Sequence, residues 1–98
     1  MNATLIFKTK ESSGDYIREM VVWRLDQPVP GCRHNFKYRF FYGMVDGTCL
    51  VRYDNERGKG DHKHMAGTEC QYLFRNLKQL FADFLTDIEI ILRERGGV

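Results

Sequence analysis

The stretch from Tyr53 to His64 carries most of the residue types that acid–base and phosphate chemistry require. It contains His62 and His64, three cations, several carboxylates and two glycines, and Tyr53 is its one residue with a benzene ring. Core-forming side chains are otherwise missing, so burial does not explain this composition. Free imidazole has a pKa of about 6.5, so two histidines near neutral pH can act as acid and base in one reaction.

RNA cleavage needs that combination of groups. One group takes the proton of the 2′-hydroxyl, another protonates the leaving 5′-oxygen, and positive charge stabilises the phosphorane between them. His62 and His64 are the candidate acid and base. The candidate sources of positive charge are Arg57, Lys59 and Lys63.

An extended backbone sends alternate side chains to opposite sides. His62 and His64 then point one way and Asp61 points the other way, so Asp61 is poorly placed to orient either imidazole. Asp54 and Glu56 are the better candidates for that role. Tyr53 is a second candidate, either to orient a histidine or to contact the substrate.

Two other interpretations of the stretch stay open. A solvated charged loop has the same composition, because runs of charge usually lie at the surface. Zinc is the other, with His62 and His64 joined by a third ligand. The candidates for the third ligand are Cys32, His34, Asp54 and Asp61. Because no recognised ligand spacing is present, we expect no metal and no other cofactor.

Composition limits the class of protein. The 98 residues predict one domain over 1–98, and 43% hydrophobic residues exclude a disordered tail. A net charge of +2 argues against polybasic binding. The three cysteines form no CxxC pair, which favours a reducing compartment. Without a long apolar run, the chain is expected to be a soluble cytoplasmic protein.

Hydrophobic periodicity predicts an α+β fold. Four strands and a short fifth are expected over 5–9, 16–25, 35–45, 49–54 and 70–74, with a polar loop over about 55–67. A helix follows, with Asn76 as its N-cap, Gln79 in a capping box and Gly96 as its stop. The predicted architecture is an antiparallel sheet of four to five strands with one C-terminal amphipathic helix packed on one face.

The third and fourth strands form a predicted hairpin around Asp46-Gly47. Counting back from this turn places Arg39 opposite Asp54 and Phe41 opposite Arg52. The aromatic face of the hairpin becomes core, and the other face carries the cations. On this second face, Arg39 and Arg52 would bind phosphates and Phe41 would stack on a base. The plainer interpretation is cross-strand ion pairing, such as Arg39 with Asp54.

The whole string from Tyr53 to His64 resembles the signature of the TumE-like toxins of bacterial toxin–antitoxin pairs. The resemblance also includes the segments 3–10, 28–31, 37–43 and 80–85. It implies a toxin encoded beside an antitoxin, often one with a helix-turn-helix domain, and RNA cleavage as the suspected activity.

The prediction is therefore a type II toxin acting as a metal-independent endoribonuclease through a His-x-His pair. Its partners would be RNA and a helix-turn-helix antitoxin, and a homodimer stays open. The alternatives are a non-catalytic module that binds nucleic acid or protein, and a zinc-dependent hydrolase that uses the same histidines.

Overall fold

Six antiparallel strands precede one helix in the computed structural model, which describes residues 2–96. The elements are β1 (Ala3–Ser13), β2 (Tyr16–Leu25), β3 (Phe36–Met44), β4 (Cys49–Glu56), β5 (Gly60–Met65), β6 (Thr68–Gln71) and α1 (Leu77–Glu94). The strands pair in chain order, so the sheet is a meander. The α+β class and the C-terminal helix are confirmed, and the predicted strand number of four to five is wrong.

The error lies in the segment predicted as a polar loop. It folds back on β4 as strand β5, with Asp54 opposite His62 and Arg52 opposite His64. The turn closes through a hydrogen bond from Lys59 N to Glu56 O of 3.1 Å. The hydrogen bonds of a strand ladder join backbone groups and do not depend on the type of side chain. A polar segment can therefore form a strand when both of its faces lie in polar surroundings.

The register of the β3–β4 hairpin matches the prediction away from the turn. Arg39 lies opposite Asp54 and Phe41 lies opposite Arg52. At the turn the register shifts by one residue, and Met44 N donates to Thr48 O at 2.8 Å. A two-residue turn at Asp46-Gly47 would pair Val45 with Thr48. This pair does not form, because the bulge shifts the register by one residue.

Helix α1 begins where the sequence predicted. The Asn76 side chain accepts a hydrogen bond of 2.8 Å from Gln79 N. The capping box is only half formed, because the Gln79 side chain donates to Asp83 at 2.7 Å and does not return to Asn76. The buried positions of the helix are Leu80, Phe84, Asp87, Ile88 and Ile91.

The helix covers one face of the sheet, here called the covered face. Tyr38, Phe40 and Tyr53 are fully buried there, and the Phe40 and Phe84 rings lie 5.1 Å apart between centroids. The other side of β2–β6, here called the open face, has no helix over it. Its polar and aromatic members include Glu19, Lys37, Arg39, Phe41, Arg52, Asp54, Glu56, His62 and His64.

The connection between β2 and β3 packs against the β4–β5 turn. Gly58 N donates to Pro30 O at 2.9 Å, and a Cβ on Gly60 would lie 2.9 Å from Gly31 O. This contact fixes the end of the β4–β5 hairpin that leads into the histidine strand. Within residues 2–96, no helix is long and apolar enough to cross a membrane.

Replacing Gly60 with alanine is expected to destabilise the protein more than replacing Gly67. Both glycines have positive φ, +72° and +82°, but only Gly60 has a neighbour that an added Cβ would meet. Strain in the left-handed region alone costs about 1–2 kcal/mol. We expect Gly67→Ala to cost about that amount and Gly60→Ala about 1–2 kcal/mol more. Urea denaturation of both variants measures the difference, and equal losses would show that the contact between the two connections has no effect on stability.

Candidate functional site on the open face

Two rows of side chains cross the open face from β2 to β6. The first row is Glu19, Phe41, Arg52, His64 and Glu69, and the second row is Val21, Arg39, Asp54, His62 and Gln71. Neighbouring strands lie about 4.8 Å apart, so successive members of a row are in reach of each other. Strand pairing therefore places most of the predicted site residues on one surface.

His62 is almost fully enclosed, with 4% of its area exposed. Its Nε2 lies 2.6 Å from Asp54 Oδ1, and its Nδ1 lies 3.1 Å from Gly60 O. The Nε2 contact is close but not aligned as a hydrogen bond, so we treat it as an electrostatic contact. Both neighbouring groups are oxygens that can only accept hydrogen bonds.

His64 has fewer constraints than His62. Its side chain is 32% exposed, and its nearest charged contact is Nδ1 to Glu69 Oε1 at 3.8 Å, beyond hydrogen-bond range. Arg52, its neighbour on β4, also approaches the carboxylate of Asp54, with Nε 3.6 Å from Oδ2. Arg52 is partly exposed and lies directly opposite His64, and the carboxylate that it approaches is the one that contacts His62.

A shallow depression of about 430 Å³ lies on the side of these residues that faces β2. Its lining residues are Glu19, Arg39, Phe41, Arg52, Asp54 and Glu56. The Phe41 ring leans on Gly43, where a Cβ would lie 2.5 Å from the ring Cζ. The absence of a side chain at Gly43 therefore permits this position of the ring.

Two groups of side chains have metal-ligating atoms close together within the described part of the chain. Asp54, Glu56 and His62 form one on the open face, with ligand atoms within 4.8 Å of one another. His64 is not a member, so a metal held there would not use both histidines. The other group, at the opposite side of the sheet, is Cys32, His34 and Asp61. The predicted combination of His62 and His64 with Cys32, His34 or Asp61 is therefore not assembled.

Sequence comparison identifies the family of this chain. A family model described as Toxin TumE matches residues 3–92, nearly the full length. The chain belongs to the TumE toxin family. The TumE family is a family of toxins, and membership implies an antitoxin partner in general. No curated protein and no solved structure matches the chain.

In this TumE-family toxin, the open face brings together six of the ten predicted site residues. These are Arg39, Phe41, Arg52, Asp54, His62 and His64. Lys59 and Arg57 lie in the exposed β4–β5 turn, where the Lys59 ammonium contacts Glu69 at 3.4 Å. They border the site at the end of the hairpin and are not part of its floor.

The remaining two, Tyr53 and Lys63, lie on the covered face. Tyr53 is fully buried, and its hydroxyl donates a hydrogen bond to Asp87 on the helix. Lys63 Nζ donates to the same carboxylate at 2.9 Å. Strand alternation turns both side chains away from Arg52, Asp54 and the histidines. The predicted substrate contacts of Tyr53 and Lys63 therefore do not fit this placement. Burial, followed by the hydrogen bond to Asp87, raises the pKa of Tyr53.

Asp61 also faces away from the histidines, as strand alternation predicted. Its Oδ1 accepts hydrogen bonds from His34 Nε2 at 2.8 Å and from Tyr38 OH at 2.7 Å. Burial alone raises the pKa of Asp61, but the hydrogen bonds from His34 and Tyr38 outweigh it and the net pKa is lowered. His34 Nδ1 accepts from Phe36 N at 3.2 Å, so both of its ring nitrogens are occupied.

Cys32 completes this cluster without becoming a reactive thiolate. Burial, followed by the charge of Asp61, raises the pKa of the Cys32 thiol. A thiol with a raised pKa is a weak nucleophile at neutral pH. The cluster is therefore best understood as a polar anchor that fixes the β2–β3 connection to β5.

Sequence reasoning missed Glu19 and Asp87. Glu19 interrupts the apolar alternation of β2, and Asp87 interrupts the apolar stripe of the helix. A charged residue inside an otherwise apolar pattern is the signal that marks such positions, because it must find a polar partner or a ligand.

Proposed function

We propose that this TumE-family toxin is a metal-independent endoribonuclease whose active site is the open face of β4 and β5. The observation that carries the proposal is the placement of His62 and His64 on one face of the sheet, with Asp54 against the buried imidazole and Arg52 opposite the partly exposed one. Two proton-transferring groups and a cation on one surface meet the minimal needs of RNA transesterification.

The geometry divides the roles between the two histidines. The 2′-oxygen attacks phosphorus and the bond from phosphorus to the 5′-oxygen breaks. One group takes the 2′-hydroxyl proton while another delivers a proton to the 5′-oxygen. His64, whose ring is partly exposed, is one of these groups. The Asp54–His62 pair is the other, and Asp54, which lines the depression, is the member that faces the substrate.

Cations around the two histidines supply the electrostatic part of this mechanism. Arg52 binds the reacting phosphate, because it lies opposite His64 and beside the Asp54 carboxylate that contacts His62. Arg39, Lys59 and Arg57 attract the phosphates on either side of it. Each of these cations is exposed or partly exposed, so a single RNA strand can approach them without a change in the sheet.

Cleavage in the presence of EDTA tests metal independence. We expect the purified toxin to degrade single-stranded RNA equally well in excess EDTA and in untreated buffer. Products ending in a 2′,3′-cyclic phosphate are expected, because the 2′-oxygen is the nucleophile. Loss of activity in EDTA and its return with added zinc would contradict the proposal.

The metal-dependent alternative has one observation in its favour, the cluster of Asp54, Glu56 and His62. The mixed oxygen and nitrogen ligands of this cluster are suitable for zinc. Glu56 separates the two mechanisms, because it belongs to the cluster but has no role in the acid–base scheme. Glu56→Gln leaves cleavage unchanged under the proposal and abolishes it under the metal alternative.

A non-catalytic binding module remains the alternative of a different class. It predicts growth arrest that survives the loss of both histidines but fails when Arg39 and Arg52 are changed to glutamate. The proposed enzyme predicts that arrest fails in both cases. Growth of cells that express each variant without antitoxin distinguishes the two.

The proposed protein partner is an antitoxin with a helix-turn-helix domain, encoded by the neighbouring gene. Co-purification of the two products tests this pairing. A homodimer and a cytoplasmic location stay predictions, and sedimentation of the purified chain measures the first of these.

A further inference from the structure

The depression beside the histidines holds charges of both signs without partners in the protein. Within residues 2–96, Glu19 and Arg39 make no ion pair, although both line the depression. The charged groups of Glu11, Glu69 and Asp87, which do not line it, contact cations. Unpaired acid and base groups around one concave surface indicate a ligand that offers both donors and acceptors.

One residue that lines this depression is aromatic. Phe41 stands between Glu19 on β2 and Arg52 on β4, and it is only partly buried. Its ring occupies the space that the missing side chain of Gly43 leaves. A partly exposed ring is a stacking surface for a nucleobase, as in other single-strand binding sites.

We propose that this depression is a base subsite that selects guanine, an inference that rests on the proposed function. The carboxylate of Glu19 can only accept hydrogen bonds. Guanine alone among the four RNA bases places two donors side by side, N1–H and the N2 amino group. Adenine and cytosine each present an amino group beside an acceptor nitrogen, and uracil presents one N–H between two carbonyls.

The cation of the depression fits the other edge of the same base. Arg39 lies on the row next to Glu19, and its guanidinium has parallel donors. The O6 and N7 atoms of guanine are acceptors that arginine commonly binds together. Adenine has a donor in place of O6, so this side of the subsite also favours guanine.

The order of residues along the first row matches the order of groups in a nucleotide. Glu19 would meet the base edge, Phe41 the ring, Arg52 the phosphate and His64 the reacting oxygen atoms. A guanosine held in this way presents its own 3′-phosphate to Arg52. Cleavage is therefore expected on the 3′ side of guanosine.

Binding of dinucleotides that cannot be cleaved tests the subsite directly. GpU, IpU and ApU carrying 2′-fluorine on the first sugar lack the nucleophile, so calorimetry with the unaltered protein measures affinity alone. Inosine differs from guanosine only in lacking the N2 amino group. We expect GpU to bind about tenfold more tightly than IpU or ApU, the size of one hydrogen bond to a charged group.

Substitution of Glu19 links this preference to the residue. Glu19→Gln is expected to reduce the preference for GpU over IpU to less than about threefold. Glu89→Gln, which changes an exposed acid on the helix, is the matched control and should keep the full preference. Equal affinity for the three dinucleotides, binding of none of them, or an unchanged preference in Glu19→Gln would each overturn the subsite.

The failure of this inference differs from the failure of the proposed function. RNA cleavage without preference for guanosine would overturn the subsite and leave the endoribonuclease intact. Selective binding of GpU by a protein that cleaves no RNA would support the subsite and contradict the endoribonuclease.

Discussion

Replacing His64 with alanine is expected to lower the rate of RNA cleavage by about 10²–10⁴-fold, the usual contribution of one general acid or base. The side chain is partly exposed and makes no aligned hydrogen bond to a described residue. Its loss should therefore leave the melting temperature within about 1–2 °C of the original, as for other surface substitutions. Single-turnover cleavage and thermal unfolding of the same preparation measure both quantities.

His62→Ala is the informative comparison for this prediction. It should also abolish cleavage, but it removes a buried imidazole that contacts Asp54 and Gly60. Leaving the Asp54 carboxylate without that contact is expected to cost about 1–3 kcal/mol of stability. Cleavage by His64→Ala within threefold of the original rate would remove His64 from the mechanism, whatever His62→Ala shows.

Replacing Asp87 with alanine is expected to destabilise the fold by about 3 kcal/mol, a large part of the stability of a small domain. The carboxylate is 11% exposed and accepts from both the Tyr53 hydroxyl and the Lys63 ammonium. Its removal leaves a buried hydroxyl and a partly buried cation unpaired between helix and sheet. Urea denaturation measures the loss.

Asp83, one turn earlier on the helix, is the matched control. It accepts from the Tyr72 hydroxyl at 2.6 Å and from Gln79 Nε2 at 2.7 Å, but its side chain is 26% exposed, so water can replace the carboxylate for both donors. We expect Asp83→Ala to cost about 1 kcal/mol. Adding Lys63→Met to Asp87→Ala should recover part of the stability, because it removes the unpaired cation. A loss in Asp87→Ala no larger than in Asp83→Ala would contradict the proposed role of this buried carboxylate.

These two predictions concern opposite faces of the same strands. Arg52 and Asp54 face the substrate side, whereas Tyr53 between them faces the helix. His62 and His64 flank Lys63 in the same way. Substitutions on the open face should therefore change cleavage, and those on the covered face should change stability, with His62 as the residue that affects both.

Local patterns in the sequence determined much of the frame. Strand β2 has the predicted ends, the aromatic residues of β3 form the predicted core face, and Asn76 caps the helix. The pairing of Arg39 with Asp54 followed from one turn. Such features depend on periods of two or 3.6 residues and on turn residues, and these act over short stretches of chain.

Family membership was also readable from the sequence, because it depends on the identity of residues along the chain. The TumE family model covers residues 3–92, including every predicted site residue. The positions of those residues relative to one another were not readable in the same way. The sequence showed two histidines on one side of an extended segment, without the surface that they would face.

Only the tertiary structure decided which groups meet. The polar segment after β4 is a strand because β4 offers it a ladder, and this pairing gives His62 its partner Asp54. Tyr53 is tied to Asp87, which lies 34 residues further along the chain. Contacts of this kind depend on which elements pack together, and composition cannot reveal whether a polar residue will find its partner in water, in the helix or in a substrate.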